Sequence, residues 1–255
     1  MNPDAVTSAH NARVARVDAL LRDARRRRKE GLAVAEGEDL IEAAARAGAE
    51  IVEILVDADR PPQGAEWRAA THRTPTIDIA GPALARLSAL GHPPRAIAVI
   101  RRPEQPPLDE VPPRAVVLHG VADPANVGAL LRTAAAFEVP AVALTPGCAD
   151  PFGPKALRAA MGATFTQGLC RPHSEIDRLL ALRNRPPLVA AVATGGVNPA
   201  ELPPTAVILL GAERAGLPGD VAGSCDLRVT IPAQGFASLN VAAAGAVLMY
   251  ELARR

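Results

Sequence analysis

The sequence ends with IPAQGFASLNVAAAGAVLMYELARR, residues 231–255, and this stretch joins a strand to a last helix through a polar loop. Ile231 and Pro232 end the strand, and an alanine-rich apolar run follows Asn240. A single Ser or Asp side chain is enough to cap a helix. The glycine, serine and asparagine of residues 235–240 exceed that requirement, so we predict that this loop belongs to a cofactor and reaction site.

The composition of the 255-residue chain indicates a globular protein with a core of small apolar side chains, because 49% of it is hydrophobic and only 2% is aromatic. No apolar run reaches the roughly 18 residues of a membrane span, and the N-terminus lacks the apolar stretch of a signal peptide. The three cysteines, Cys148, Cys170 and Cys225, are scattered without metal-ligand spacing. We therefore expect a cytoplasmic protein with free thiols, no metal site and no membrane contact.

Positive charge is concentrated near the N-terminus, although the formal net charge of the chain is only +1. Residues 13–29 hold eight basic and two acidic side chains. Nucleic acid attracts such a patch, because basic side chains displace the counterions of its phosphates. A solvated helix face has the same pattern, so this stretch alone leaves both interpretations open. The candidate RNA-binding residues are Arg25, Arg26, Arg27, Arg28 and Lys29.

Two halves with alternating strand and helix patterns are separated by a proline-rich segment. Residues 1–102 begin with a predicted basic helix that ends at Gly31, and they indicate a small α/β domain. Residues 103–114, PEQPPLDEVPPR, contain five prolines and three acidic residues, which is typical of a stiff linker. The predicted strands of residues 115–255 are continuously apolar, as buried parallel strands are. For this half we predict an open α/β sheet covered by helices on both faces.

Three predicted strands of the second half end in unusual loops, and ligands of open α/β sheets bind at such carboxyl ends. These loops are DPANVGALLRTAAAF at residues 123–137, LLGAERAGLP at residues 209–218 and the final stretch quoted above. A dinucleotide fold or a P-loop is disfavoured, because neither half has G-x-G-x-x-G after its first strand or G-x-x-x-x-G-K-[ST]. His119 and His173 lie at the ends of predicted elements, where we expect them to pack or to cap.

These three segments, in this order, resemble the motifs of the SpoU/TrmH family of RNA 2′-O-ribose methyltransferases, which belongs to the knotted SPOUT superfamily. The first pairs Asn-x-Gly with an arginine, the second has a glycine, a glutamate and Gly-Leu, and the third has Ile-Pro and Ser-Leu-Asn. PKALRAAMGATF at residues 154–165 is similar to an intermediate segment of the family. Residues 26–44 and 87–103 more loosely resemble the family's N-terminal substrate-binding domain, which is like an RNA-binding ribosomal protein.

The resemblance implies that the C-terminal segment threads through a loop to form a trefoil knot, an arrangement that is very rare among folds. It also implies that S-adenosylmethionine sits bent in this knot, where small residues expose backbone groups to the adenine and the ribose. Carried over residue by residue, the expected cofactor-binding residues are Gly211, Ile231 and Leu239, with Thr194 at the end of VAAVAT as a further candidate.

The reaction implied by the resemblance is methyl transfer to a ribose 2′-hydroxyl, a poor nucleophile that needs its proton removed or its alkoxide stabilised. Arg132 matches the arginine of the first motif, and because an arginine stays protonated we expect it to orient a phosphate and to stabilise negative charge. Glu213 would orient this arginine or the substrate, and Asn126 would fix the first loop. Ser238 and Asn240 would hydrogen-bond around the reacting ribose. The alternatives are that Asn126 and Asn240 only cap helices, and that Arg132 is an ordinary exposed helix residue.

Homodimers packed through the knot domain, with both chains contributing to each site, are implied as well. The last helix is apolar nearly all round, as a helix buried by both core and partner is. The N-terminal domain favours 23S rRNA as the substrate, by analogy within the family. The alternatives are a 2′-O-methyltransferase of tRNA and a non-catalytic RNA-binding module that retains the knot. Four residues depart from the family pattern without removing a motif residue: His119, Glu138, Ala160 and Ala242.

Overall fold

The computed structural model describes Val6 and residues 11–88, 93–105, 112–170, 176–235 and 238–255. The chain divides into two compact units, Met1–Pro103 with Phe152–Phe165, and Glu104–Pro151 with Thr166–Arg255. Residues 152–165, which the sequence pattern assigns to the second half, are thus compact with the first unit. The domain bounds 1–102 and 115–255 remain a prediction. The centre of the predicted linker, residues 106–111, lies outside the described residues.

The first unit is built on a four-stranded sheet whose spatial order is β1-β4-β2-β3. Its strands are β1 (Leu32–Glu36), β2 (Ile51–Asp57), β3 (Thr76–Ile79) and β4 (Ala96–Arg101). β4 pairs antiparallel with β1 and β2, whereas β2 and β3 are parallel. β1 is buried along its whole length and β4 is buried except at Arg101, so their apolar side chains form the centre of this core. Each large apolar side chain buried there contributes about 1.5–3 kcal/mol.

Helices α1 (Ala12–Arg22) and α2 (Ala24–Glu30) occupy the stretch that the sequence predicts as one basic helix. That prediction is wrong at Asp23, whose backbone is extended and whose carboxylate accepts the N–H of Arg25 at 2.7 Å, so that a new helix begins. Gly31 ends α2 in a left-handed conformation, as predicted. The remaining helices before residue 103 are α3 (Glu38–Arg46), α4 (Ala65–Thr71) and α5 (Gly81–Leu87).

Two short helices from later in the chain pack within the first unit. They follow α6 (Pro124–Ala136, in the second unit) and are α7 (Pro154–Ala160) and α8 (Ala163–Thr166). The turn between them approaches α3 so closely that a Cβ on Gly162 would lie 2.6 Å from that of Ala43. Arg158 of α7 also pairs with the buried carboxylate of Glu36 at 3.7 Å. These contacts explain why the segment clusters with the first unit.

The second unit contains a six-stranded sheet in which every pair of neighbours is parallel. The spatial order is β10-β8-β9-β5-β6-β7. The strands are β5 (Val116–Leu118), β6 (Val142–Leu144), β7 (Leu169–Cys170), β8 (Leu188–Ala191), β9 (Val207–Leu210) and β10 (Leu227–Val229). β5, β6 and β9 are buried throughout, which confirms the parallel α/β sheet predicted from their continuously apolar sequences.

Helix α11 (Val241–Ala253) packs directly against α6 in this unit. Gly245 permits the approach, since a Cβ there would overlap the side chain of Leu130 and would come within 3.0 Å of Leu210. The other helical elements are α9 (Ile176–Ala181), α10 (Gly219–Gly223) and a 3₁₀ turn at Pro199–Glu201. Within the ranges described above, no helix is long and apolar enough to cross a membrane.

Candidate functional site

The loops that the sequence singles out meet at one edge of the six-stranded sheet. Because neighbouring strands are parallel, their carboxyl ends share an edge, and β5 lies beside β9. The loop after β5 leads into α6, and the loop after β9 contains residues 211–217. β8 flanks β9 on its other side, so the segment after β8 lies at the same edge.

The carboxylate of Glu213 ties the loop after β9 to the loop after β5. Its Oε1 accepts hydrogen bonds from the backbone N–H of Asp123 and from Nδ2 of Asn126, both at 3.0 Å, and its Oε2 accepts one from the N–H of Ala122 at 3.3 Å. Burial favours the neutral acid, but the hydrogen bonds from Asn126 and from the backbone outweigh it and lower the pKa of Glu213. Glu213 is therefore an ionised anchor for the first loop rather than a group poised to accept a proton.

Asn126 and Asn240 extend this network to the last helix. Nδ2 of Asn240 donates to Oδ1 of Asn126 at 3.3 Å, while Oδ1 of Asn240 accepts the N–H of Ala242 at 2.8 Å and so caps α11. Helix capping is thus one part of the role of Asn240. It is not the role of Asn126, because Asp123 is the residue that caps α6. Together with the glutamate, the two asparagines join three segments that are far apart in the sequence.

Beside this network lies a cavity of about 360 Å³, a size typical of small-molecule sites. Most of the residues that line it are apolar, and they are drawn from residues 191–193, 210–217, 229–233 and 238–248. The predicted cofactor-binding residues Gly211, Ile231 and Leu239 are in this lining, and so is Ser238. Thr194 follows the first lining segment, but it is exposed and does not line the cavity.

The loop of residues 211–217 forms a tight turn along one wall of the cavity. Ala212 and Gly216 exchange backbone hydrogen bonds of 3.1 and 2.8 Å. A Cβ on Gly211 would overlap the backbone of Gly216 and Leu217, so only glycine fits there. At Gly211 this wall therefore presents backbone groups rather than a side chain, which suits a flat heterocycle whose edge is read by N–H and C=O groups. The cavity fits the adenosine part of S-adenosylmethionine, the cofactor that the sequence resemblance implies.

Arg132 lies on the exposed side of α6 and outside the cavity lining. Its side chain forms no hydrogen bond or ion pair with any other residue that the structure describes. One chain by itself therefore does not hydrogen-bond Arg132 to the Glu213 network, and its guanidinium is left exposed. Ser238, by contrast, is exposed at the cavity beside Leu239, which is itself 43% exposed.

The predicted RNA-binding residues of α2 do not all face solvent. The exposed ones are Arg25, Arg26, Arg28 and Lys29. Arg27 is only 5% exposed, and its Nη1 donates to the backbone carbonyls of Leu20 and Leu21 at 2.7 and 3.1 Å. The expectation for Arg27 is therefore corrected. Its guanidinium closes the end of α1, because the break between α1 and α2 leaves these carbonyls without helical partners.

The remaining candidate groups show no sign of reactive chemistry. Nδ1 of His119 lies 3.3 Å from Oγ1 of Thr145, in keeping with a packing role, and His173 lies outside the described residues. Cys148 and Cys225 are free thiols, and burial raises the pKa of both, for Cys225 to about 11. Across the described ranges, no group of His, Cys, Asp and Glu side chains could hold a metal ion.

Two parts of the site are not found by the sequence reasoning above. Asp123 caps α6, and an Asp followed by proline is a signal for a helix start that would have identified it. Residues 191–193 line the cavity because β8 lies beside both β9 and β10. No local pattern marks those residues, since their position depends on pairing between distant strands.

Comparison with known proteins identifies both parts of the chain. Residues 113–250 match the model of the SpoU rRNA Methylase family, and residues 11–98 match the model of the MRM3-like substrate binding domain. The first match covers more than half of the chain.

Three relatives place these matches in context. The chain is 31% identical over 223 residues to the 23S rRNA (guanosine(2553)-2′-O)-methyltransferase RlmP of Bacillus subtilis, and the match covers 85% of this chain and 86% of the relative. It is 34% identical over 170 residues to an uncharacterized tRNA/rRNA methyltransferase of Mycobacterium bovis; this match covers 62% of the chain and spans only 59% of that relative. The crystal structure of the SpoU methyltransferase AviRb from Streptomyces viridochromogenes, in complex with the cofactor AdoMet, has a TM-score of 0.83 at 28% identity and covers 96% of this chain and 98% of that one.

Proposed function

Because this chain belongs to the SpoU rRNA methylase family, we propose that it transfers the methyl group of S-adenosylmethionine to a ribose 2′-hydroxyl of 23S rRNA. The observation that carries the proposal is the network of Glu213, Asn126 and Asn240 beside the cavity, since it joins all three motif segments at one sheet edge. Similarity to the 23S rRNA methyltransferase RlmP over 85% of the chain supports the choice of substrate.

S-adenosylmethionine would occupy the cavity of about 360 Å³. Gly211, Ile231 and Leu239 would hold its adenosine, and Thr194 would contact the cofactor from the margin. When bound, the cofactor supplies an electrophilic methyl group on a sulfonium. The AdoMet complex of AviRb, which shares this fold over 96% of the present chain, supports this assignment.

The residues around the cavity have distinct tasks in this proposal. Arg132 stabilises the negative charge that develops on the ribose oxygen and orients a neighbouring phosphate, because its guanidinium is a permanent cation with a planar set of donors. Ser238 hydrogen-bonds to the ribose from its exposed position at the cavity. Glu213 keeps the first loop in place by accepting three hydrogen bonds from it. These bonds hold Asn126, and through it Asn240, beside the reacting groups.

The second unit is proposed to contain the trefoil knot of its superfamily. β10 lies at the end of the sheet beside β8, with β9 between β8 and β5. From there the chain returns so that α11 packs on α6, the helix that follows β5. The segment that makes this return lines one cavity with the loops after β8 and β9, and this placement supports the threaded path.

We also propose that two copies of the chain pair through α6 and α11. The outer side of α11 exposes Val247 and Tyr250, which are 37% and 49% accessible. The ring of Tyr250 lies 5.9 Å from that of Phe137, so the apolar surface continues past the end of α6. Exposed apolar patches of this kind mark association surfaces. Pairing here would bring the exposed Arg132 of one copy toward the network of the other.

The first unit would hold the RNA through phosphates. Its basic face consists of Arg25, Arg26, Arg28 and Lys29. Because aromatic residues make up only 2% of the chain, stacking on bases has few partners, and contacts to phosphates and shape would dominate. The match of residues 11–98 to a substrate-binding domain supports this assignment. An rRNA substrate also favours action in the cytoplasm, where ribosomes are assembled.

The proposed function is tested by transfer of tritiated methyl groups from S-adenosylmethionine to separate 23S, 16S and tRNA transcripts, followed by nucleoside analysis. We expect label on a ribose of 23S rRNA, and we expect Arg132→Ala to abolish it. Arg183→Ala serves as the matched control, because Arg183 is an exposed arginine outside the site.

Other outcomes identify the alternatives. Label on tRNA alone would replace the substrate by tRNA and leave the chemistry in place. Absence of label on every RNA and on ribosomal subunits, with the cofactor still bound in calorimetry, would indicate a non-catalytic RNA-binding module. Absence of cofactor binding would refute the proposal altogether.

A further inference from the structure

We propose that Thr230 is a positioning residue. Its hydroxyl hydrogen-bonds the loop of residues 192–197 to the end of β10 and so sets one wall of the cofactor cavity. The proposal rests on the proposed function, because it concerns the cavity assigned there to S-adenosylmethionine. Thr230 follows β10 and stands between Val229 and Ile231, which both line the cavity, whereas Thr230 itself does not. It is half-buried.

The hydroxyl of Thr230 bridges the two ends of that loop. Its Oγ1 donates to the carbonyl of Val192 at 3.1 Å and accepts the N–H of Gly196 at 2.9 Å. One side chain thus satisfies an acceptor at the start of the loop and a donor near its end. Only a hydroxyl serves both purposes at this size, since it donates one hydrogen and accepts with its lone pairs.

Backbone contacts bring the same two segments together. The N–H of Val192 donates to Val229 at 2.9 Å, and the N–H of Val197 donates to Arg228 at 2.9 Å. The N–H of Thr230 returns a hydrogen bond to Val197 at 3.0 Å. These bonds align the backbones, and the threonine hydroxyl closes the loop that leaves them.

Gly196 shows how closely the loop approaches the strand. A Cβ on Gly196 would lie 2.6 Å from the carbonyl carbon of Val229 and 2.8 Å from that of Arg228. Only glycine permits this distance. The loop is therefore pressed against β10, and its first residue, Val192, is held where it lines the cavity together with Leu210 and Gly211.

The consequence for the reaction is specific to the cofactor. Val192 and Ala193 form one side of the cavity, and Val229 and Ile231 form the adjoining side. The hydroxyl of Thr230 fixes the spacing between these sides, so its loss would widen or shift the cavity without touching Arg132. We therefore expect Thr230 to control the affinity for the cofactor and not that for RNA.

The test compares Thr230→Val, which keeps the shape but removes the hydroxyl, with Thr230→Ser, which keeps the hydroxyl. Affinity for S-adenosylhomocysteine is measured by calorimetry, and KM for S-adenosylmethionine, KM for RNA and kcat are measured by initial rates. For Thr230→Val we expect both cofactor affinity and cofactor KM to worsen about tenfold, which corresponds to the loss of one to two hydrogen bonds. KM for RNA should stay within about twofold, and Thr230→Ser should restore the wild-type values.

Thr145→Val is the matched control. Thr145 is buried at the end of β6, accepts the N–H of Gly120 at 3.2 Å and lies outside the cavity lining. It should leave cofactor affinity unchanged. If Thr230→Val lowers the folded fraction, Thr230→Ala is measured in its place, because it removes the hydroxyl without placing a methyl group against Val192.

The outcomes separate this proposal from the proposed function. Wild-type affinity in the hydroxyl-free variants, an equal loss in Thr145→Val, or failure of Thr230→Ser to restore binding would each overturn the role of Thr230. If the wild-type protein itself binds no cofactor, the proposed function has failed instead.

Discussion

The edge of the six-stranded sheet and the basic face of α2 use polar side chains in opposite ways. At the sheet edge, Glu213, Asn126 and Asn240 bind one another and the backbone, so their positions are fixed before any ligand arrives. On α2 most basic side chains project into solvent, and Arg27 alone among the five candidates turns inward. The comparison indicates that the sheet edge contributes through geometry, whereas α2 contributes through the number of charges that it presents.

The largest effect on the sheet edge is expected at Gly211, where the backbone leaves no room for a side chain. Gly211→Ala should weaken cofactor binding about a hundredfold, because the new Cβ overlaps the backbone of Gly216 and Leu217 and overpacking of this kind costs about 1–3 kcal/mol. Calorimetry with S-adenosylhomocysteine measures the effect. Gly219→Ala is the control, since a Cβ added at Gly219 would have nothing within 4 Å. Equal binding by the two variants would contradict the tight turn.

The next largest effect is expected for Glu213→Gln. This substitution keeps the shape but replaces a carboxylate, which accepts hydrogen bonds at two oxygens, by an amide, which accepts at one. Its amide NH₂ would face either the N–H of Ala122 or the donors of Asp123 and Asn126. A donor left unsatisfied costs about 1–3 kcal/mol, so we expect lower stability and a kcat reduced about tenfold or more, with KM for RNA little changed. Chemical denaturation and initial rates measure the two effects. A wild-type kcat in this variant would show that the anchor is dispensable.

The same substitution predicts a change in pH dependence. The folded pKa of Glu213 is lowered because hydrogen bonds outweigh the cost of burial. Its contribution to stability is therefore complete above the pKa of the unfolded chain and is lost as the pH falls through the folded pKa. Acid unfolding followed by circular dichroism should be shallower in Glu213→Gln than in the wild type. Identical acid transitions would show that Glu213 does not contribute to the loss of stability at low pH.

An effect of comparable size on stability, but without one on catalysis, sharpens the contrast within α2 itself. Arg27→Met should destabilise the protein by about 1.5–3 kcal/mol, because it removes the charge-assisted hydrogen bonds to Leu20 and Leu21. Arg28→Met is the matched substitution at an exposed position, and its effect should stay within about 0.5 kcal/mol. Urea denaturation of both variants makes the comparison. Equal stability would mean that the inward turn of Arg27 contributes nothing.

The smallest effect per residue is expected for the exposed charges. Alanine at Arg25, Arg26, Arg28 and Lys29 should leave the fold intact and reduce the slope of log affinity against log salt. Each lost phosphate contact should reduce this slope by about 0.7–0.9. Fluorescence anisotropy with an rRNA fragment at several salt concentrations measures it. An unchanged slope would place the RNA on another surface.

Sequence reasoning succeeds here where the determining contacts are local. Gly31 ends α2 as its type indicates, and the continuously apolar strands form the parallel sheet. The three motif segments meet at one edge, as strand polarity requires, and the resemblance to the SpoU family is confirmed by the family match. These features depend on residue type and on the order of elements, which the chain shows directly.

It fails where a contact depends on tertiary structure. The arginine run that includes Arg27 gives no sign that one guanidinium binds the carbonyls at the end of the preceding helix. Those carbonyls are exposed by the break at Asp23, and that break is a weak signal within a strong helical pattern. Thr230 has the same difficulty, since its partners Val192 and Gly196 are distant in sequence. The compaction of residues 152–165 with the first unit likewise depends on Gly162 meeting Ala43.

The turn at residues 211–217 has a consequence for the kinetics of cofactor capture. Its cross-turn hydrogen bonds and the close approach at Gly211 already fix the conformation that faces the cavity. The ordering entropy of this wall is therefore lost during folding and not during association. Cofactor binding then needs no slow rearrangement of the turn, and the observed association rate should rise in proportion to cofactor concentration, without a plateau.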